Sequence, residues 1–177
     1  LQIRRPGERF GERHENEWPL QRTDWTRYYM DTSDSSLSSS KPEETASMTY
    51  DAFGDGVTFF TPPTENEIEI TGPISSTLHI SSETTDADLF VVVRAFHADM
   101  EEIVFKGALD PHTPIAQGWL RASHRKLDQD LSEPWQPYHS HDEKQPLTPG
   151  EIYELNIEVW PTCLSLPAGS RLAVSIR

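Results

Sequence analysis

Two histidines and an aspartate stand close together in the stretch His139-Ser140-His141-Asp142. Imidazole nitrogens and carboxylate oxygens are common ligands of Zn²⁺, so this spacing could place two imidazoles and a carboxylate on one metal ion. A His-x-His spacing alone is weak evidence, and prolines at 137 and 146 flank the stretch. The sequence favours a rigid loop, with a metal site as the less favoured interpretation.

A second chemical candidate is the acidic pair Asp86 and Asp88, which precedes an apolar run. Paired carboxylates supply the acid and the base of glycoside hydrolysis. Two acids before a strand more often cap a turn or meet a cation. The stretch Gly118–Asp128 offers Arg121 and Arg125 as such cations. We therefore expect a partly buried structural ion pair here, in which removal of Arg121 lowers stability and removal of Lys126 does little.

Nucleophiles and phosphate-binding loops give no further candidate. The chain lacks a G-x-S-x-G sequence, which forms the nucleophile elbow of α/β-hydrolases, and it lacks a Walker loop and a G-x-G-x-x-G sequence. Its one cysteine, Cys163, has no histidine near it in the sequence and is interpreted as a small structural residue. We predict no catalytic residue, no cofactor-binding residue, no metal ligand and no cofactor for this chain.

Several aromatic residues offer a different function. A sugar-stacking platform could be built from Trp119, Trp135, Tyr138 and Trp160. The same residues fit a core or an interface at least as well. A carbohydrate-binding or adhesion module therefore stays the alternative, and loss of glycan binding in Trp135→Ala would support it.

The elements that must position these residues are predicted to be β-strands. Fourteen prolines and the scarcity of helical apolar periodicity favour an all-β domain. Eight or more short strands joined by some long connections indicate a two-sheet sandwich of the jelly-roll, galactose-binding-like type. The clearest strands are expected at 57–60, 68–70, 78–80, 89–97, 102–105, 153–159 and 172–176.

Individual strands carry more detailed expectations. The run 89–97 is the most apolar and is expected to be central and covered on both faces. Gly72-Pro73 and Trp160-Pro161 are expected to end strands. Gly118–Asp128 is expected to be one strand, with Leu120 and Ala122 on the buried face and Arg121, Ser123 and Arg125 on the polar face. The last strand stops at residue 177 in mid-pattern, so the sandwich is expected to be truncated at its C-terminal end.

Charge and composition restrict the partners. The net charge of −14, from 29 acidic and 15 basic residues, argues against binding to nucleic acid or to an anionic membrane. A single cysteine excludes an internal disulfide, and no apolar run is long enough to span a bilayer. The cytoplasm is favoured as the compartment, and homo-oligomer formation stays open.

The chain divides by composition into three parts. Residues 1–30 form a lead-in segment whose aromatic residues, including Trp18 and Trp25, need cover from a neighbouring domain. We expect both to be more accessible than Trp119. Residues 31–46 are rich in serine and poor in apolar residues, which predicts a flexible loop. Residues 47–177 form the β-sandwich domain.

Several motifs in one order resemble a known family. They are RHENEWPLQRT at 13–23, GWLRASHR at 118–125, PYH at 137–139, PLTPGE at 146–151, VWPT at 159–162 and GSRL at 169–172. Together they resemble the C-terminal domain of the X-Pro dipeptidyl-peptidase and cocaine-esterase-like (CocE/NonD) serine hydrolases.

The resemblance implies a particular place in a larger enzyme. In that family a jelly-roll sandwich follows an α/β-hydrolase domain with a helical cap, and the active site lies where the domains meet. The nucleophilic serine, the acid and the histidine belong to the preceding domain, so His14, His124 and His139 receive no catalytic role. The hypothesis is a non-catalytic domain that buttresses the preceding domain and walls part of the cleft. The substrate would be a small ester, amide or X-Pro peptide.

Overall fold

The computed structural model describes all 177 residues. Its regular elements are eleven β-strands and one short 3-10 helix, joined by turns and loops. This confirms the all-β prediction. The strands are β1 (Gln2–Arg5), β2 (Arg9–Glu12), β3 (Tyr29–Asp31), β4 (Ser36–Ser38), β5 (Val57–Phe60), β6 (Ile68–Ile80), β7 (Asp88–Phe96), β8 (Glu102–Ile103), β9 (Ala116–Arg121), β10 (Tyr153–Leu166) and β11 (Arg171–Ile176). The 3-10 helix, Ala122–His124, follows β9 directly. The chain contains no helix that combines the length and the apolar character needed to cross a bilayer.

The strands form two mixed sheets. The four-stranded sheet has the order β2-β1-β10-β6, and the larger sheet has the order β3-β4-β5-β11-β7-β8, with β9 paired to β7. Strands β1 and β10 are parallel, as are β4 and β5, whereas β5 and β11 are antiparallel. The chain is therefore an all-β sandwich. The finer jelly-roll type stays a prediction.

The first compact unit comprises Leu1–Gly72, Val92–Ala116 and Thr162–Arg177. Its core takes apolar side chains from both sheets, because alternate residues of a strand share one face. The buried members are Ala95, Ile103, Phe105, Ile115, Leu164, Leu166 and Leu172, with Ile68, Ile70 and Val93 packed against them.

The second compact unit comprises Pro73–Val91 and Gln117–Pro161. Its buried apolar residues are Leu78, Leu89, Val91, Leu120, Ala122, Leu147, Leu155, Ile157 and Val159. At one point in this unit β9 and β10 approach very closely. A Cβ atom built on Gly118 would lie 2.0 Å from the carbonyl oxygen of Glu158, so only glycine fits there.

Two expected strand ends are wrong. Strand β6 continues through Gly72-Pro73, and β10 continues through Trp160-Pro161. Proline is tolerated in β6 because this strand stands at the end of its sheet order, where a missing N–H need not break the ladder. Both dipeptides lie within a residue of the points at which the chain passes from one compact unit to the other.

Two other expectations need correction. The strand predicted over Gly118–Asp128 ends at Arg121, and the chain then turns into the 3-10 helix, which buries Ser123 as well as Ala122. Strand β7 lies inside its sheet order as predicted. However, Phe90 is half exposed, so one face of β7 is open near its start.

The first 46 residues contain strands that the sequence did not predict. Strands β1 and β2 pair in an antiparallel hairpin, and Ile3 is buried. Within the serine-rich stretch, β4 pairs with β3 and β5, and Leu37 is buried. A single leucine between serines gives too weak a pattern to predict a strand, and its burial depends on partners distant in sequence.

Candidate functional site

Strand β9 presents Arg121 on its exposed face, where the guanidinium meets Asp88 at the start of β7. Nε and Nη2 of Arg121 donate to the two carboxylate oxygens of Asp88, each over 2.7 Å. These hydrogen bonds raise the pKa of Arg121 and lower that of Asp88. The predicted partnership is present. The two side chains are 56% and 49% exposed, so the expected partial burial is wrong.

The second acid of the pair, Asp86, holds the turn after β9. Its carboxylate accepts hydrogen bonds from the Ser123 backbone N–H at 2.9 Å, from the Ser123 hydroxyl at 2.6 Å and from the Ala87 N–H at 3.0 Å. Burial alone would raise the pKa of Asp86, but these hydrogen bonds outweigh it and the pKa lies below its ordinary value. Asp86 is therefore a turn cap, as the sequence predicted for one of the two acids.

Arg125 is fixed by the fold. Its guanidinium lies 4.5 Å from the ring centroid of Tyr153, and Nη1 donates to the carbonyl oxygens of Ala122 and Gln145. The Tyr153 hydroxyl in turn donates to Glu151 over 2.8 Å. Arg125 therefore joins the turn after β9 to two other parts of the chain. These are Tyr153 in β10 and Gln145 in the long connection that precedes β10.

Lys126 and the loop 138–142 form an exposed charged contact. Lys126 Nζ lies 2.8 Å from Asp142 Oδ2 and 3.5 Å from Glu143 Oε1. The hydrogen bond from Lys126, with a second from the Ser140 hydroxyl, lowers the pKa of Asp142 to about 2. Asp142 is therefore engaged in this ion pair. It does not form a group of three metal ligands with His139 and His141.

Three histidine rings lie close together. Two of them, His139 and His141, belong to this loop, and the third, His124, lies in the turn after β9. Nδ1 of His124 and Nδ1 of His141 are 3.1 Å apart, and the ring centroids of His139 and His141 are 6.0 Å apart. Burial lowers the pKa of His139, whose Nε2 is buried without a hydrogen-bond partner. No three His, Cys, Asp or Glu side chains of the chain are arranged to hold a metal ion. The contact between His124 and His141 was missed because 17 residues separate them and no local spacing signals it.

The lead-in segment is anchored by an ionic network in the first compact unit. Arg13 pairs with both carboxylate oxygens of Glu69 on β6, each over 2.8 Å, and with Glu15 over 2.5 Å. Glu15 also pairs with Arg22, and Leu20 is buried. The segment is therefore held in place from 13 to 22. The sequence did not reveal Glu69 as its partner because the two lie 56 residues apart.

Aromatic side chains of the lead-in segment remain on the surface. Trp18 is 45% exposed and Trp25 is 50% exposed. Trp119 is 53% exposed, so the expectation that Trp119 is better shielded than these two is wrong. Trp119 instead packs against Trp160 on the second compact unit, with ring centroids 5.4 Å apart and planes inclined by 56°.

Two remaining features do not support a small-molecule site. A cavity of about 230 Å³ in the first compact unit is smaller than typical ligand pockets, which span about 300 to 1,000 Å³. It is lined by Tyr28, Leu37, Ser38, Ser39, Thr61, Pro62, Thr64, Ile68 and Leu172. The Cys163 sulfur lies 3.3 Å from the Thr71 hydroxyl, which is within hydrogen-bond distance for a thiol.

Comparisons with known proteins match the chain to a domain that is described as non-catalytic. The model of the X-Pro dipeptidyl-peptidase C-terminal non-catalytic domain matches residues 2–177. A Mycobacterium bovis protein named as a serine esterase is 30% identical over 125 residues, and so is a Mycobacterium tuberculosis protein of the same description. In each case the match covers 68% of this chain and 18% of the relative.

Solved structures extend the comparison. A CocE/NonD family hydrolase from Staphylococcus aureus superposes with a TM-score of 0.94 at 26% identity, over 99% of this chain and 32% of that one. An aminopeptidase from a marine sediment Thaumarchaeota archaeon gives a TM-score of 0.68 at 14% identity, which shows a shared fold alone. The chain thus spans about a third of the length of the solved hydrolase and about a fifth of that of the named esterases.

Proposed function

Because the chain belongs to the family of X-Pro dipeptidyl-peptidase C-terminal non-catalytic domains, we propose that it is one domain of a longer serine hydrolase. In this proposal a preceding α/β-hydrolase domain supplies the nucleophilic serine, the histidine and the acid. The present domain buttresses it and walls part of the substrate cleft. The substrate class is a small ester, amide or X-Pro peptide, cleaved through an acyl-enzyme. The single cysteine fits a reducing compartment, so we place the enzyme in the cytoplasm.

The lead-in segment, residues 1–30, supports the proposal that this chain packs against a preceding hydrolase domain. Side-chain ion pairs of Arg13, Glu15 and Arg22 anchor it, while Trp18 and Trp25 stay about half exposed. A segment that is anchored by ion pairs yet presents large aromatic surface has the character of an interface, because aromatic side chains dominate interface energetics. The occupant we propose is the preceding hydrolase domain, which the lead-in segment would follow in the chain.

The charged residues around the end of β9 and the start of β7 fit a supporting role better than a catalytic one. Arg121, Arg125 and Lys126 each have acceptors within the domain, and Asp86 and Asp88 are already hydrogen-bonded. A general acid or base needs a proton-transfer path to substrate, and a nucleophile needs an adjacent base. These groups are instead engaged in contacts within the domain.

The test compares two pairs of exposed tryptophans in the intact protein. Trp18→Ala with Trp25→Ala should lower hydrolysis of nitrophenyl esters and X-Pro nitroanilides and reduce the thermal midpoint, because the domain interface loses its aromatic contacts. Trp119→Ala with Trp160→Ala is the matched control and should have the smaller effect. If only the control pair impairs the enzyme, the lead-in segment is not the docking surface.

The alternative of a carbohydrate-binding module rests on the exposed pair Trp119 and Trp160. The inclination of 56° between their rings gives a sugar no flat platform across both, which favours the hydrolase proposal. Glycan binding that was lost in Trp119→Ala would favour the alternative. Trp135→Ala provides the second position at which to look for that loss.

A further inference from the structure

We propose that His124 and His141 form a two-histidine clip that binds a divalent transition-metal ion such as Zn²⁺ in the second compact unit. This site is separate from the proposed hydrolase function and does not depend on it. Zn–N bonds of about 2.0 to 2.1 Å at a tetrahedral angle place two ligand nitrogens about 3.3 Å apart. The two Nδ1 atoms are 3.1 Å apart, so they already stand near the separation that one ion requires.

Both rings are positioned from the backbone outward. His124 ends the 3-10 helix, which Asp86 fixes through Ser123. The loop that carries His141 is tied to the same region, because the Ser140 N–H donates to the Lys126 carbonyl over 3.1 Å and Lys126 pairs with Asp142. Two ligands held in place before binding lose little conformational entropy when the ion arrives.

The charge around the pair favours a cation. Asp142 and Glu143 follow His141 directly, and the chain as a whole carries −14. Of the two cations that follow His124 in the chain, Lys126 is engaged by these two acids, and Arg125 donates to the carbonyl oxygens of Ala122 and Gln145. No unpaired cation among these residues makes the electrostatic potential at the clip positive. The negative charge of the domain therefore favours the approach of a divalent cation.

The proton balance of binding is simple. Without metal, one ring donates its Nδ1–H to the lone pair on the other Nδ1. For both Nδ1 atoms to bind the ion, the donor ring moves its proton from Nδ1 to Nε2 by exchange with water. No net proton is released, and the metal replaces the hydrogen bond between the rings. The bound ion would tie the loop 138–142 to the turn after β9.

A calorimetric titration of the intact protein with ZnCl₂ tests the clip. His124→Ala and His141→Ala should each remove one binding event or weaken it by about tenfold or more, since loss of even an outer-shell partner has effects of that size. His112→Ala, at an exposed histidine outside the cluster, is the control and should bind as the wild type does. Equal binding by the wild type and both cluster variants would overturn the proposal.

A second variant keeps the result interpretable if an alanine variant unfolds. His141→Asn can still hydrogen-bond to His124 but provides a poor zinc ligand. It should retain the wild-type melting curve without metal and lose the rise in midpoint that ZnCl₂ gives the wild type. A zinc-dependent rise that survives in His141→Asn would show that the ion binds elsewhere.

Discussion

Arg121 and Asp88 form a two-point ion pair across β9 and β7, with Nε and Nη2 each 2.7 Å from a carboxylate oxygen. The sequence indicated a pairing of Arg121 or Arg125 with Asp86 or Asp88 and did not distinguish among these combinations. The environment of the pair differs from the expectation, because both side chains are about half exposed and water competes for their charges. The pair therefore links β9 to β7 without contributing much to stability.

Arg121→Ala should leave the unfolding midpoint close to that of the wild type. Arg94 provides the contrast: it also forms a two-point pair, with Glu102, but these side chains are only 24% and 28% exposed. Its guanidinium also lies 5.0 Å from the Phe96 ring centroid. Arg94→Ala should reduce the free energy of unfolding by about 2 kcal/mol. Urea denaturation of the two variants measures the difference, and equal losses would contradict the distinction by exposure.

Asp86→Asn should make stability less dependent on acid pH. The folded pKa of Asp86 is depressed below an unfolded value of about 3.9, so its stabilising effect is complete above that value. The effect is lost as the pH falls through the folded pKa. Urea midpoints at neutral pH and at several values below about pH 4 should show the wild type losing its advantage over Asp86→Asn. A constant difference at all pH values would argue against the role assigned to the Asp86 carboxylate.

Gly118→Ala should destabilise the domain severely. The added Cβ would lie 2.0 Å from the Glu158 carbonyl oxygen and 2.9 Å from Val159 Cα, which are backbone atoms that cannot rotate away. Gly11→Ala is a matched control within a strand, because a Cβ there has no atom within 4 Å. Thermal melts should show a large fall for Gly118→Ala and almost none for Gly11→Ala. A Gly118→Ala variant with the wild-type midpoint would contradict the close approach of β9 and β10.

The sequence predicted the fold class because alternation along strands is local information. The short apolar run at 57–60 and the period-2 pattern at 172–176 each predict a strand, and β5 and β11 confirm these predictions. Proline and glycine signals were less informative. At Gly72-Pro73, for example, β6 passes from the first compact unit into the second without ending. A local sequence pattern cannot distinguish such a passage from the end of a strand.

The candidate site could be predicted only in part. Strand parity placed Arg121 on an exposed face, and one of the two acids near the start of β7 is its partner. Parity also placed Ala122 correctly on the buried face, but it was wrong at Ser123, because the backbone turns into a 3-10 helix that buries this residue. Contacts such as that between His124 and His141 depend on how a long connection folds back, and no periodicity encodes that path.

Labelling with a serine-directed phosphonate tests the central claim most directly. The intact protein is treated with the reagent, digested, and its modified peptide is identified by mass spectrometry. We predict one modified serine that precedes Leu1, together with loss of ester or X-Pro amide hydrolysis. The chain Leu1–Arg177 expressed alone should take up no label and show no hydrolysis above background. A modified serine within Leu1–Arg177, with activity that survives purification, would contradict the assignment of this chain as a non-catalytic domain.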